Sequence, residues 1–115
     1  MLPKQFRLKN KSAFNITYRV KNSFYKNGII MFAGKIAKTK VNTKIGFVVS
    51  KKTHKRSVKR NRLKRLMRES IRLIIKDGFD FHNRYSLIFV GKSQALGKSF
   101  DEIDNAIKLL LKELD

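Results

Sequence analysis

The chain has 115 residues, is 42% hydrophobic, contains no cysteine, and sets 28 Lys/Arg against 8 Asp/Glu for a net charge of +20. That size suits one domain, residues 1–115, burying about two-thirds of its unfolded surface, while the apolar content excludes a disordered basic tail and the missing thiols exclude disulfide or thiolate chemistry. Met1-Leu2-Pro3-Lys4 lacks the apolar run of a signal peptide and the longest apolar runs, such as 29–33 and 87–90, fall far short of the ~20 residues that span a bilayer, so a reducing cytoplasm and no membrane are expected.

In chain order, residues 4–11 form a basic leader carrying Phe6 and Leu8, either a short edge strand or an arm. Residues 12–20 allow a short helix capped by Asn10 or Ser12, with Phe14 and Tyr18 stacked at i, i+4 and read on their own as core aromatics. Asn22, Ser23, Asn27 and Gly28 are turn formers, so 21–28 reads as a loop. Residues 29–33 and 44–50 are short, β-branched or aromatic, and joined by a polar connection, which predicts an antiparallel hairpin-like pair. Alternation sends Ile45, Phe47 and Val49 to the core and Lys44, Gly46, Val48 and Ser50 the other way.

The next stretch organises the chain. Ten of the eighteen residues from Lys51 to Arg68 are Lys or Arg and none is acidic, so the segment repels itself without an anionic partner. At 100° per residue, Leu63, Leu66, Met67, Ile71, Leu73 and Ile74 share one arc; Asn61, Arg62, Lys64, Arg65, Arg68, Arg72 and Lys76 share the opposite one. This predicts a helix over 58–76 with Ser57 as N-cap, and a basic stretch over 51–72 that faces a polyanion. A helix N-terminus disfavours cations by about 0.3–1 kcal/mol each, yet this one opens with Lys55, Arg56, Lys59, Arg60 and Arg62. A bound phosphate reverses the sign of that cost.

Lys76-Asp77-Gly78 is a helix stop, and residues 85–90 read as a strand buried on both faces, hence central. Residues 91–97 are a loop. Ser99 and Glu102 have capping-box spacing ahead of a stripe of Phe100, Ile103, Ala106, Ile107, Leu110, Leu111 and Leu114. The fold class is therefore α+β: one mostly antiparallel sheet and three helices in the order helix, strands, helix, strand, helix, with the helices against one sheet face.

Phosphodiester cleavage needs a metal site or a positioned acid and base. Residues 1–68 contain no Asp or Glu, so His54 has no carboxylate nearby in sequence; no catalytic residue is assigned there or at His82, and no protein-held metal is expected. His54, inside the basic run, is read as a phosphate contact or an exposed side chain.

Arg60-Asn61-Arg62, continued by Lys64, Arg65, Arg68 and Glu69 and preceded by Gly46-Phe47-Val48-Val49-Ser50-Lys51-Lys52, resembles the signature of the protein component of bacterial ribonuclease P. The resemblance extends from Phe6 to the last helix. It implies a subunit that assists Mg²⁺-dependent 5′ maturation of precursor tRNA, with hydrolysis performed by the RNA subunit, and a left-handed strand-helix-strand crossover. It implies that Arg60, Asn61, Arg62, Lys64, Arg65 and Arg68 face the catalytic RNA, beside Lys55, Arg56 and Lys59. A cleft of Phe14, Tyr18, Ile30, Phe32, Lys44, Val48, Lys52 and Lys92 would hold the single-stranded leader, which makes Phe14 and Tyr18 partly exposed. Gly91 and Arg84 depart from the family pattern, standing where a basic and an acidic residue are usual. The partners implied are the catalytic RNA and precursor tRNA; no protein partner is evident.

The rival reading is a small basic ribosomal protein, which the Arg-Asn-Arg signature opposes. A DNA-binding regulator lacks a second helix a short turn away, a dimerisation seam or a heptad, and a stand-alone metal-dependent nuclease lacks the carboxylates.

Overall fold

Strand order follows apolar content rather than position in the chain. The computed structural model describes residues 2–114, with α1 Lys11–Arg19, β1 Ser23–Lys26, β2 Ile29–Ala33, β3 Lys44–Val48, α2 Ser57–Lys76, β4 Ser86–Gly91 and α3 Phe100–Leu111. The sheet runs β1-β2-β4-β3, with β4 antiparallel to β2 and parallel to β3. The predicted hairpin between β2 and β3 is thus corrected. Leu87, Ile88 and Phe89 have no exposed surface, so β4 takes the place where both faces are covered and separates the two. Two of the three strand pairs are antiparallel, as expected.

A strand also stands where a loop was expected. Asn27 (φ 48°) and Gly28 (φ 91°) form the two-residue turn of a β1–β2 hairpin, both with the positive φ that matches strand twist. A Cβ on Gly28 would lie 2.6 Å from the Ala95 backbone nitrogen, so the turn sits hard against the Ser93–Ala95 3₁₀ turn.

The two sheet faces have different partners. Ile29, Met31, Ala33, Ile45, Leu87 and Phe89 face a core completed by Leu63, Met67, Ile71 and Ile74 of α2 and Ile103, Ala106, Ile107, Leu110 and Leu111 of α3. Phe47 and Val49 join this side as expected, Phe47 stacking on Phe89 at 6.0 Å. Helix α1 lies on the other face, which corrects the expectation that all helices share one. Its polar anchor is the buried hydrogen bond between Thr17 Oγ1 and Ser86 Oγ; Phe14 sits over Gly46 and Tyr18 over Phe32. With a buried set reduced to Thr17, α1 does not fill a core; it walls a surface.

Helix ends follow local chemistry with one shift. Asn10 caps α1, its Oδ1 accepting from Ser12 N at 2.8 Å. Arg56, not Ser57, is the N-cap of α2 and supplies no side-chain hydrogen bond, so Ser57 is the first helical residue. The capping box of α3 is complete: Glu102 N donates to Ser99 Oγ at 3.2 Å and Ser99 N to Glu102 Oε1 at 3.1 Å. The N-terminal arm makes a 3₁₀ turn at Lys4–Phe6, then covers part of the β3 edge through Leu8 N donating to Ile45 O at 3.0 Å.

Candidate nucleic-acid interface

Two surfaces meet at the β3 edge. The first is the outer face of α2 with the segment leading into it. Among the described residues, none of the ten cations from Lys51 to Arg68 forms a salt bridge, and the first turn holds no acid. Glu69, the acid closing the basic run, is taken by its own helix: Arg72 Nη2 donates to Oε1 at 2.6 Å and Nε to Oε2 at 3.0 Å. That pairing holds the Glu69 carboxyl below its ordinary pKa and leaves Arg65 and Arg68 uncompensated.

Asn61, Lys64, Arg65 and Arg68 line one hollow of about 430 Å³ with Val58. Lys55, Arg56 and Lys59 are exposed, and Arg60 is half-buried, its stem against the domain and its Nε enclosed with no hydrogen-bond partner among the described residues. Arg62 is also half-buried and donates from Nη2 to Lys98 O at 3.2 Å, which fixes the guanidinium between α2 and the approach to α3. His54 is half-buried; its Nδ1 accepts from Arg56 N at 3.0 Å, so one ring nitrogen orders the entry into the helix.

The second surface is the sheet face under α1. Cross-strand register puts Tyr25, Ile30, Val90 and Val48 in one row and Phe32, Ile88 and Gly46 in the next, because directly paired residues share a face. Phe14 and Tyr18 wall this floor and are half-buried, as the resemblance implied and against their reading as core. Tyr18 meets Phe32 edge-on, centroids 4.8 Å apart at 84°, and burial raises the Tyr18 phenol pKa. Lys92 follows Val90 by two residues on the same face and is exposed; Lys52, also exposed, lies in the turn after β3.

Lys44 is not gathered with them. Its Nζ donates to Gln5 O at 2.5 Å, and it lines a separate hollow with Lys9, Asn10 and Ala13. Gly91 explains one departure: it faces α2, where a Cβ would lie 2.5 Å from Leu63 Cδ2, so this position packs the helix instead of furnishing the cleft. Arg84 donates from Nη1 to Gly34 O at 3.0 Å and braces the connection after β2.

Sequence reasoning missed Tyr25 and Val90 in the floor, and missed Arg7, Leu8 and Lys9, which join Phe14, Gly46, Phe47 and Arg68 around a hollow of about 350 Å³ between the two surfaces. The Asn27-Gly28 turn was the available signal for Tyr25. Among the described residues, no group of three or more His, Asp or Glu is placed to hold a metal ion, and no helix is long and apolar enough to cross a membrane.

A sequence model of the family described as Ribonuclease P matches residues 2–115. The ribonuclease P protein component of Clostridium kluyveri is 39% identical over 108 residues, covering 94% of this chain and 93% of the relative. That of Alkaliphilus oremlandii is 35% identical over 113 residues, covering 95% and 90%. In fold, the Staphylococcus aureus RNase P protein superposes with TM-score 0.78 at 23% identity, covering 96% of this chain and 95% of that one. The Thermotoga maritima protein gives 0.76 at 19%, covering 95% and 97%. The ribosomal alternative finds no support in these likenesses. A basic helix whose cations up to Arg68 form no ion pair among the described residues, on a fold and sequence shared with these proteins over nearly their whole length, places this chain in the ribonuclease P protein family, as a subunit of the ribonucleoprotein that processes tRNA 5′ ends.

Proposed function

We propose that the two surfaces divide the work of the holoenzyme. The outer face of α2, with Arg60, Asn61, Arg62, Lys64, Arg65 and Arg68 and the flanking Lys55, Arg56 and Lys59, holds the catalytic RNA. The sheet cleft walled by Phe14 and Tyr18 and floored by Ile30, Phe32 and Val48 takes the single-stranded 5′ leader of precursor tRNA, with Lys52 and Lys92 on its phosphates. Lys44 contributes at the margin, behind α1. Stacking on aromatics beside a basic groove is how single strands are held without pairing. Residues 1–115 act as one RNA-binding domain, working in the cytoplasm.

The observation that carries this reading is the run of ten cations from Lys51 to Arg68 with no ion pair among the described residues. Such a helix terminus is stabilised by bound phosphates, each neutralised charge also releasing a counterion. Mg²⁺ takes oxygen ligands, and a Lys/Arg face does not fit it, so the metal is assigned to the RNA subunit and the polypeptide is non-catalytic. The test adds the protein to the cognate catalytic RNA at low Mg²⁺. Precursor tRNA cleavage should appear with the intact protein and be lost with Lys64→Ala/Arg65→Ala; equal stimulation by both would overturn the assignment.

A further inference from the structure

The floor of the cleft continues past β2. Phe24 of β1 packs on the core and Tyr25, the next residue, therefore faces the opposite way, onto the leader side, with 52% of its surface exposed. Register sets it beside Ile30, which pairs with Val90, which pairs with Val48. One row thus crosses all four strands, and its only aromatic stands at the edge farthest from β3, where Arg68 and Phe14 share a hollow.

The strand that carries Tyr25 is held rigidly. Four residue pairs tie β1 to β2, the Asn27-Gly28 turn closes the hairpin, and Lys92 N donates to Gly28 O at 2.8 Å. The backbone of Lys92, a cation of the cleft, is therefore bonded to the hairpin that presents Tyr25. A large exposed aromatic on a pre-ordered strand, in line with an apolar floor and next to a cationic segment, has the chemistry of a base-stacking position. Tyr18 and Phe32 are engaged with each other, whereas no aromatic neighbour covers Tyr25 among the described residues.

We infer that Tyr25 is a further stacking residue for the precursor tRNA leader, taking a base more distant from the cleavage site than those held by Phe14 and Phe32, so that the leader footprint extends across β1. This rests on the proposed use of the cleft for the leader, and it adds a residue, a direction and a length to that use. The direction rests on the proposed seat of the catalytic RNA on the basic helix at the β3 edge. A leader leaving the cleavage site on that side meets Phe14 first, then Phe32, and reaches Tyr25 last.

The experiment measures binding of precursor tRNA to the reconstituted holoenzyme while the leader is trimmed from its 5′ end one nucleotide at a time. Three variants are compared: Tyr25→Val, which keeps a β-branched strand former; Tyr25→Phe, which keeps the ring; and Phe32→Ala. With a long leader, Tyr25→Val should weaken binding about tenfold, within the range of one lost base stack, and Tyr25→Phe should restore it. As the leader shortens, the Tyr25→Val effect should vanish while the Phe32→Ala effect persists, and mature tRNA should show neither. A Tyr25→Val effect that is absent at every length, equal on mature tRNA, or matched by Tyr25→Phe overturns the inference, even if Phe32→Ala stays leader-dependent. If Phe32→Ala also fails to distinguish precursor from mature tRNA in a folded protein, the cleft assignment itself falls.

Discussion

Gly46→Ala isolates how tightly α1 closes on the sheet. The Cβ it adds would lie 2.5 Å from Phe14 Cζ, 2.7 Å from Phe14 Cε1 and 3.2 Å from Leu8 Cδ2. Carbon contacts favour about 3.5–4.0 Å, so the ring must retreat by about 1 Å. Two effects compete. Gly46 is not among the positive-φ residues, so alanine is compatible with its backbone and gains about 0.4–1 kcal/mol by restricting the unfolded chain. Overpacking costs about 1–3 kcal/mol, and the half-exposed ring can swing outward, which favours the lower part of that range. The net expectation is ~1 kcal/mol of destabilisation, or roughly 3–6 °C in Tm for a domain of this size. The displaced ring also leaves the proposed leader path, so on that proposal holoenzyme affinity for precursor tRNA should fall about fivefold while affinity for mature tRNA and for the catalytic RNA holds. Thermal unfolding and the three binding curves are the assay. A variant with unchanged Tm and unchanged precursor affinity would refute the placement of Phe14 over Gly46.

Other perturbations probe the supports of the site. Thr17→Val leaves the Ser86 hydroxyl buried without its partner, which should cost about 1–3 kcal/mol in denaturant unfolding and loosen α1; Thr17→Ser should recover most of it. The Ser99 backbone and side chain hold the Glu102 carboxyl below its ordinary pKa, so that contribution is present above the unfolded value near 4.5 and is lost as pH falls through the lower folded one. Glu102→Gln should therefore flatten stability against pH on the acid side only, read by thermal unfolding from neutral pH downward; an unchanged acid limb would contradict the capping-box account.

Much of this architecture was legible because local chemistry and tertiary structure agree. Strand β2 occupies Ile29–Ala33 as its composition predicted, α2 begins one residue before the expected start, and Ser99 and Glu102 mark the start of α3. What escaped depends on partners distant in sequence. Ser23-Phe24-Tyr25-Lys26 is too short and too polar at its ends to announce a strand, and it becomes one by pairing with β2 across the Asn27-Gly28 turn. Nothing in residues 29–50 signals that β4, nearly forty residues later, inserts between β2 and β3. For the site, the basic face of α2 was readable from periodicity and charge. The cleft was reached through the family resemblance, because periodicity alone could not say that Phe14 and Tyr18 face a second sheet surface instead of the core.

The division into two surfaces is tested most directly by measuring two equilibria for two variants, with thermal unfolding as a check on folding. Lys64→Ala/Arg65→Ala should weaken binding of the catalytic RNA and make the slope of log affinity against log salt shallower by about 1.4–1.8, as expected for two lost phosphate contacts. Phe32→Ala should leave that equilibrium nearly intact and remove ~1–3 kcal/mol from holoenzyme binding of precursor tRNA, with no loss for mature tRNA. If instead Phe32→Ala weakens precursor and mature tRNA alike in a folded protein, or the double variant leaves the catalytic-RNA salt slope unchanged, the two-surface account is contradicted.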